Sequence, residues 1–394
     1  MKSLLIVLVL ASSLFSAKVV ELGEKYQQSK KCKACHHHIV KEWENSWHSK
    51  SHFDKDEYFR ATIKYVSRKT RKSLNSVKIQ CATCHNPRIS VTSTDIGYEI
   101  DALMNLTRGS TVDKALESDV ISEGINCLVC HNVDKILSDK DESHRGINRV
   151  EWTNSGTMVG PFDDSKSPYH SAEYRDFLDH DSDKLCLVCH ANDKSVAGVV
   201  FTNMGKEFIP GRKKCVDCHM GPKEPGIAST LRVKGKTKKR DVRTHGFEGA
   251  HFESFIRDAL VLNLSKKGSS IYIEIKNPQP HNIPSGFGAR ELLIDVTYKK
   301  NNREMKTESI SLTRYYTSKR NKQTIPHLAV SMTKDTSIPA EGKKILKVKK
   351  LQGATDVEVK IYYRLVNDKV RSILQLKEKI WSRKSLITSK SLHL

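Results

Sequence analysis

The rhythm of apolar and polar positions changes once along the 394-residue chain, near residue 255. Beyond that point "ALVLNL" (259–264), "IYIEIKN" (271–277), "ELLIDVTY" (291–298), "ESISLTRYY" (308–316), "KILKVKKL" (344–351) and "VEVKIYYRLV" (357–366) are short, β-branched and often alternating, with turn residues between them. A period of two places apolar side chains on one face of a pleated strand, so these segments predict an all-β, sandwich-like domain over 256–368. From 18 to 255 the apolar positions are sparser. Helical spacing is confined to patches near 38–48, 54–66 and 171–179, predicting a mostly α and irregular N-terminal domain. Residues 369–383 suit a basic amphipathic helix, which makes 369–394 a basic helix and tail. The apolar run from Leu4 to Leu10 follows Lys2 and precedes the small residues Ser16 and Ala17. This pattern reads as a signal peptide over 1–17, too short to span a bilayer, and predicts an exported mature chain.

Composition sharpens the contrast between the halves. Hydrophobic residues make up 38% and aromatic residues 7% of the chain, a lean supply for a globular core. What fills the N-terminal domain is indicated by its ten cysteines, all of which fall in five copies of C-x-x-C-H. The copies are Cys32, Cys35 and His36; Cys81, Cys84 and His85; Cys127, Cys130 and His131; Cys186, Cys189 and His190; and Cys215, Cys218 and His219. On one helical turn the two thiols at i and i+3 face the same way, as attachment to the two vinyl groups of one porphyrin requires, and the next imidazole meets the iron. Zinc sites need no histidine always one place after the second thiol. Five covalently attached haem c groups follow, about one for every ~45 residues, with porphyrin forming most of the core. In an exported protein, cysteines not so occupied would be oxidised to disulfides.

The formal net charge is +22. Two propionates per haem remove about ten positive charges and five ferric irons restore about five, so the loaded protein stays basic. Such a charge steers acidic redox partners, small anionic substrates or an anionic membrane face toward the protein. Export excludes nucleic acid as a partner. The run "RVKGKTKKRDVR" (232–243) reads as a solvated linker, with a docking patch as the second reading.

Twelve histidines lie outside the motifs: His37, His38, His48, His52, His144, His170, His180, His245, His251, His281, His327 and His393. They exceed the five needed to give every iron a second imidazole; methionine is the alternative ligand. His37 and His38 follow a motif histidine directly and leave the turn on other faces, as surface residues would. A helix carries His48 about 18 Å beyond His36, so if His48 ligates, it serves another haem. His52 competes with it one turn on. His180, His251, His327 and His393 read as structural or surface residues.

The segment "KKCKACHHHIVKEWENSWH" resembles the first haem segment of the cytochrome c-554 group, and "GINCLVCHNVDKILSDKDESH" resembles its third. The resemblance implies exchanged second ligands, His48 for the haem of His131 and His144 for that of His36, with Trp43 and Trp47 against porphyrin. "SPYHSAEYRDFLDHDSDKLCLVCH", "CVDCHM", "THGFEGAH" and "PHNIPSGFGAREL" are similar to segments of larger multihaem cytochromes with a C-terminal β-domain. There the implied second ligands are His170, His245 and His281. In the c-554 group the second haem has no such histidine, and here none lies between His85 and His131. Its sixth position is therefore expected to be open or closed by a distant residue such as His281 or His245.

Three functions fit. The first is a periplasmic electron carrier with closely packed, mainly bis-histidine haems. The second is a multihaem oxidoreductase acting on a small nitrogen or sulfur compound at an open haem. Pentahaem nitrite reductases have a related arrangement, but their hallmark lysine in place of one motif histidine is absent. The third is a haem-bearing docking subunit for a membrane quinol dehydrogenase or terminal reductase.

Overall fold

The computed structural model describes residues 28–86, 94–137, 146–154, 156–233 and 235–394. The signal-peptide reading of 1–17 and the proposed ligand His144 lie outside the described residues.

The C-terminal part is built from two antiparallel sheets. Strands Val261–Lys267, Ser270–Lys276 and Lys343–Lys349 form one; Ser331–Asp335, Arg303–Thr317, Glu291–Lys300, Asp356–Arg364 and Ser385–His393 form the other, in that spatial order. Alternation decides which side chains go inward. Ile271, Ile273 and Ile275 are fully buried, as are Val357, Val359 and Ile361. The register places Ile294 between Ile310 and Ile361, and the inner faces of both sheets belong to one hydrophobic cluster. This is the expected sandwich arrangement. Its strands agree with the six predicted segments to within a few residues, apart from the longer extension of Arg303–Thr317.

The structure adds two strands that the sequence pattern does not reveal. Ser331–Asp335 is exposed throughout, so no burial rhythm marks it. Ser385–His393, expected as tail, pairs with Asp356–Arg364 and closes the sheet edge. The predicted helix over 369–383 is shorter: Asp368–Leu374 ends where Gln375 adopts the left-handed region at φ 55°.

The N-terminal part consists of short helices, small two-stranded pairs and loops. Its longest helix, Glu57–Thr70, starts where Asp56 accepts a hydrogen bond from the Phe59 amide and ends at left-handed Arg71. The stretch 171–179 is not helical: Ser171–Tyr174 pairs in parallel with Thr157–Gly160, and a short 3₁₀ turn follows. The basic run 232–243 is not a free linker. Lys238 and Arg240 pair with Asp164, Arg240 lies over the Phe162 ring, and Arg243 pairs with Asp217.

The two parts share a core. Tyr58, Ile63, Val66 and Val77 belong to the sandwich's hydrophobic cluster. Nearby, buried Arg314 bonds Glu207 of the N-terminal part and Asp335 of its own sheet. Among the described residues no helix is long and apolar enough to cross a membrane.

Candidate haem centres

Four C-x-x-C-H motifs end a helix, Leu74–His85, Cys127–His131, Ser182–His190 and Cys215–His219, while the first begins at the last residue of Ser29–Cys32 and ends at His36, which precedes the helix His37–Glu44. All ten thiols and all five motif imidazoles line one continuous cavity of about 1700 Å³. Thiols from different motifs abut there. Cys32 meets Cys127, Cys84 meets Cys189, and Cys186 meets Cys215. Burial first, then Cys186 and Cys127, pushes the Cys130 thiol up to about 12. Attachment points of the first and third, second and fourth, and fourth and fifth motifs are therefore neighbours.

Close approach at these points dictates particular glycines. Gly146 has φ +57°, and a Cβ there would collide with the Thr83 carbonyl and sit 3.1 Å from the Cys84 sulfur. At Gly124 (φ +69°) a Cβ would lie 2.5 Å from the His48 carbonyl oxygen, which also accepts a bond from the Ile125 amide.

Four motif imidazoles are oriented through Nδ1. His36 bonds the Ala228 carbonyl at 2.7 Å, His131 that of Val159 at 2.7 Å, and His219 that of Glu248 at 2.5 Å; His85 Nδ1 meets Ser51 Oγ at 2.9 Å. A carbonyl can only accept, so Nδ1 carries the proton in three of them and Nε2 is left as the basic nitrogen, the tautomer a metal ligand needs. Burial lowers the proton affinity of the imidazoles: His48 to about 3, and His85, His190 and His245 to about 4. It also lowers that of His131, His219 and His281. Neutral rings are the metal-binding form.

Three motif rings face a second imidazole. His131 and His245 have centroids 6.3 Å apart, His219 and His281 6.5 Å, and His48 and His190 6.4 Å, with interplanar angles of 24°, 23° and 33°. A metal–imidazole bond of about 2.0–2.1 Å and a nitrogen lying ~1.1 Å from its ring centre put two rings ~6.3 Å apart across one metal. These separations fit bis-imidazole haem ligation.

The pairs differ from those implied by the family resemblance. His48 faces His190 rather than His131, because the helix His37–Glu44 stops before it and the following turns, tied to Gly124 and Ile125, redirect the ring. His131 faces His245 instead. His281 faces His219, so neither His245 nor His281 caps the position opposite His85, which is flanked by the Phe59 ring, stacked at 4.1 Å. His170 lies on the cavity wall, its Nδ1 2.9 Å from the Ser171 carbonyl. His52 is absent from that wall and lies beside Asp54.

Trp43 and Trp47 both line the cavity; Trp43 donates to the Ile125 carbonyl at 2.7 Å, and Trp47 stacks on His251 at 3.8 Å. His251, His327 and Arg290 also line it, although sequence reasoning assigned them no part in the site. In sequence the first two read as structural or surface residues. Arg290 lay unused within "PHNIPSGFGAREL", ten residues from the start of that segment.

The fold is that of a multihaem c-type cytochrome. A pentahaem cytochrome c552 from Thermochromatium tepidum superposes with a TM-score of 0.69 at 18% identity, over 93% of this chain and 99% of that one. A superoxide reductase from Nanoarchaeum equitans aligns over 35% of this chain and 94% of its own, at 14% identity and a TM-score of 0.16, too low to carry an argument. No protein-family model and no curated protein sequence matches the chain.

Proposed function

We propose that this chain is a periplasmic pentahaem cytochrome c that carries electrons, with haems held mainly by pairs of imidazoles. The carrying observation is the set of three facing imidazole pairs at 6.3–6.5 Å, each with one ring from a C-x-x-C-H motif. Reversible one-electron change at iron is the chemistry that haem supplies when bound. The chain's own contribution is to fix both axial rings, keep them neutral, surround them with apolar side chains and bring attachment points of different motifs together. Two imidazoles per iron leave no position for substrate, which suits a carrier.

The periplasmic assignment rests on the N-terminal apolar segment and on the need to keep ten exported thiols from disulfide formation. Acidic redox proteins are the favoured partners. Beyond the net charge, a groove of about 410 Å³ beside the helix Glu57–Thr70 is lined by Arg60, Lys64, Arg68 and Lys377, with Glu57 as its carboxylate. A respiratory dehydrogenase or reductase presenting an acidic face would dock there.

A second reading, small-molecule redox chemistry at the His85 haem, is favoured by one specific observation. No imidazole faces His85 at ligand distance among the described residues, and the buried Tyr58 and Thr62 hydroxyls, which bond one another, line the same cavity. Mass spectrometry of the matured protein, with spin-state counting and carbon monoxide binding, tests both readings. Five covalent haems, all low-spin and inert to carbon monoxide, support the carrier alone. One high-spin haem that binds carbon monoxide, with turnover abolished in His85→Ala, supports the enzyme. Bound zinc without haem refutes both.

A further inference from the structure

The positions of most arginines that approach the N-terminal part are explained by carboxylates: Arg175 has Asp134, Arg240 has Asp164, Arg243 has Asp217, Arg314 has Glu207, and Arg383 has Glu253. Arg290 differs. It follows the loop that presents His281, its guanidinium lines the large cavity, and among the described residues no carboxylate lies within ion-pair distance of it. Its polar contacts are with neutral groups. Nη1 donates to the Ser285 carbonyl at 3.2 Å, and the buried Tyr363 hydroxyl shares a hydrogen bond with it.

The guanidinium is held at a crowded place. Gly286, at φ +70°, lets it approach so closely that a Cβ there would sit 3.3 Å from Nη1. Its charge reaches both rings of the His219–His281 pair, as well as His190 and His251, lowering the proton affinity of each after burial. A cation facing several neutral imidazoles and a phenol within an apolar-walled cavity is a poor arrangement on its own. The guanidinium is half-buried, and a charge drawn partly out of water without a counter-ion is stabilised by an anion of complementary geometry. A planar fork of N–H donors, steadied by a carbonyl on one side and a phenol on the other, suits a carboxylate or a small oxyanion.

We propose that Arg290, with Tyr363 beside it, is an anion-binding site on the cavity wall next to the His219–His281 and His48–His190 pairs. The anion is a haem propionate, in which case the site rests on the cytochrome reading above, or a free oxyanion that enters the cavity. The guanidinium fixes this negative charge close to two axial pairs and thereby sets how readily the adjacent irons accept electrons.

The test uses the matured holoprotein and the variants Arg290→Gln, Arg290→Lys and Tyr363→Phe, each checked for five haems by mass. Midpoint potentials are resolved by redox titration, with and without sulfate and, separately, nitrite, at fixed ionic strength. Loss of the cation in Arg290→Gln is expected to disfavour reduction of at least one haem about tenfold, a downward shift of about 59 mV for one electron, while Arg290→Lys retains most of the wild-type value. That shift, with wild-type potentials insensitive to added anions and a haem-propionate vibrational band displaced in Arg290→Gln, identifies a propionate; the shift and insensitivity without that displacement overturn the anion site. A saturable sulfate or nitrite response in wild type that is weaker in Tyr363→Phe and lost in Arg290→Gln identifies a free oxyanion.

Potentials unchanged in Arg290→Gln and Tyr363→Phe, together with no saturable anion response, overturn the proposal. If Arg290→Gln fails to mature, Arg290→Lys, Tyr363→Phe and the wild-type titrations decide in the same way. A wild-type haem count below five counts against the function proposed above rather than against this site, for which anion binding is read separately by calorimetry.

Discussion

Replacing Arg314 tests how firmly the β-domain is locked to the haem domain. Its side chain is only 5% exposed; Nη2 bonds Glu207, itself 6% exposed, and Nε bonds Asp335 at 3.0 Å. Two residues beyond Glu207, the Ile209 amide donates to the Pro280 carbonyl at 2.8 Å, immediately before His281. The ion pair therefore braces the junction at which the β-domain presents His281 to the cavity. In Arg314→Met the Glu207 carboxylate is left buried without its cation, and its Oε2 already lacks a partner. Asp335, one-third exposed and bonded to Ser337, tolerates the loss better.

Breaking a buried pair by removing one member costs about 3–5 kcal/mol, whereas replacing both members by apolar groups is often neutral. We expect a loss of about 3–4 kcal/mol at pH 7 in Arg314→Met and recovery of most of it in Arg314→Met with Glu207→Met. The deficit should shrink in acid. Burial already raises the proton affinity of Glu207 in the native protein, and without Arg314 its folded-state value lies further above the unfolded one. The variant's stability is then fully present below the unfolded value of about 4.3 and is lost as pH rises through the folded value. Guanidinium unfolding followed by circular dichroism, with high-spin absorbance recorded in parallel, measures both the lock and its effect on His281. A single variant within about 0.5 kcal/mol of wild type, or a double variant no better than the single, would refute the argument.

Three further outcomes are expected. His48→Ala, His245→Ala and His281→Ala should each convert one haem to high spin while five covalent haems remain by mass; low-spin spectra throughout would break the ligand pairing. Gly124→Ala should displace the His48 backbone, cost about 1–3 kcal/mol and reproduce the spectrum of His48→Ala, as checked by thermal melts and electron paramagnetic resonance. Burial raises Asp56 to about 6 from 3.8, so the wild-type protein should lose up to about 3 kcal/mol as pH rises from about 4 to 6, a dependence absent in Asp56→Asn when unfolding is compared across that range.

The legible parts of this fold are those with a local cause. Alternation at Ile271, Ile273 and Ile275 is a direct record of one buried face, and C-x-x-C-H states its chemistry within a single helical turn. Ser331–Asp335 has no such record: it is exposed and held by backbone pairing to Arg314–Thr317. Ser385–His393 owes its place to the open edge of Asp356–Arg364. The choice of second imidazole is a tertiary fact as well. Spacing shows that His48 cannot reach the iron beside His36, but the turn after Glu44 and the contact with Gly124 decide that it faces His190. His251 and Arg290 were missed because neither belongs to a repeated pattern. The available signal for Arg290 was a cation among the glycines and prolines of a loop already suspected of carrying a ligand.

Chain order and spatial order diverge in much of the N-terminal part, with an energetic consequence. Thiols meet between the first and third, the second and fourth, and the fourth and fifth motifs, and the third motif's Cys130 also lies near Cys186 of the fourth. The facing imidazoles skip along the chain in the same manner: His48 to His190, His131 to His245, and His219 to His281, separations of roughly 140, 110 and 60 residues. Loop closure grows only with the logarithm of length, so each such link restricts the unfolded chain by about 4 kcal/mol, with differences between them below about 1 kcal/mol. On the function proposed above, axial ligation would act as cross-linking and compensate for a domain with few clusters of buried apolar side chains of its own. The third link alone joins the sandwich to the haem domain. Through His281 and the neighbouring Arg290, the β-domain brings an imidazole and a charge to the wall of the cavity that the five motifs line, and on the function proposed above it takes part in the redox unit itself.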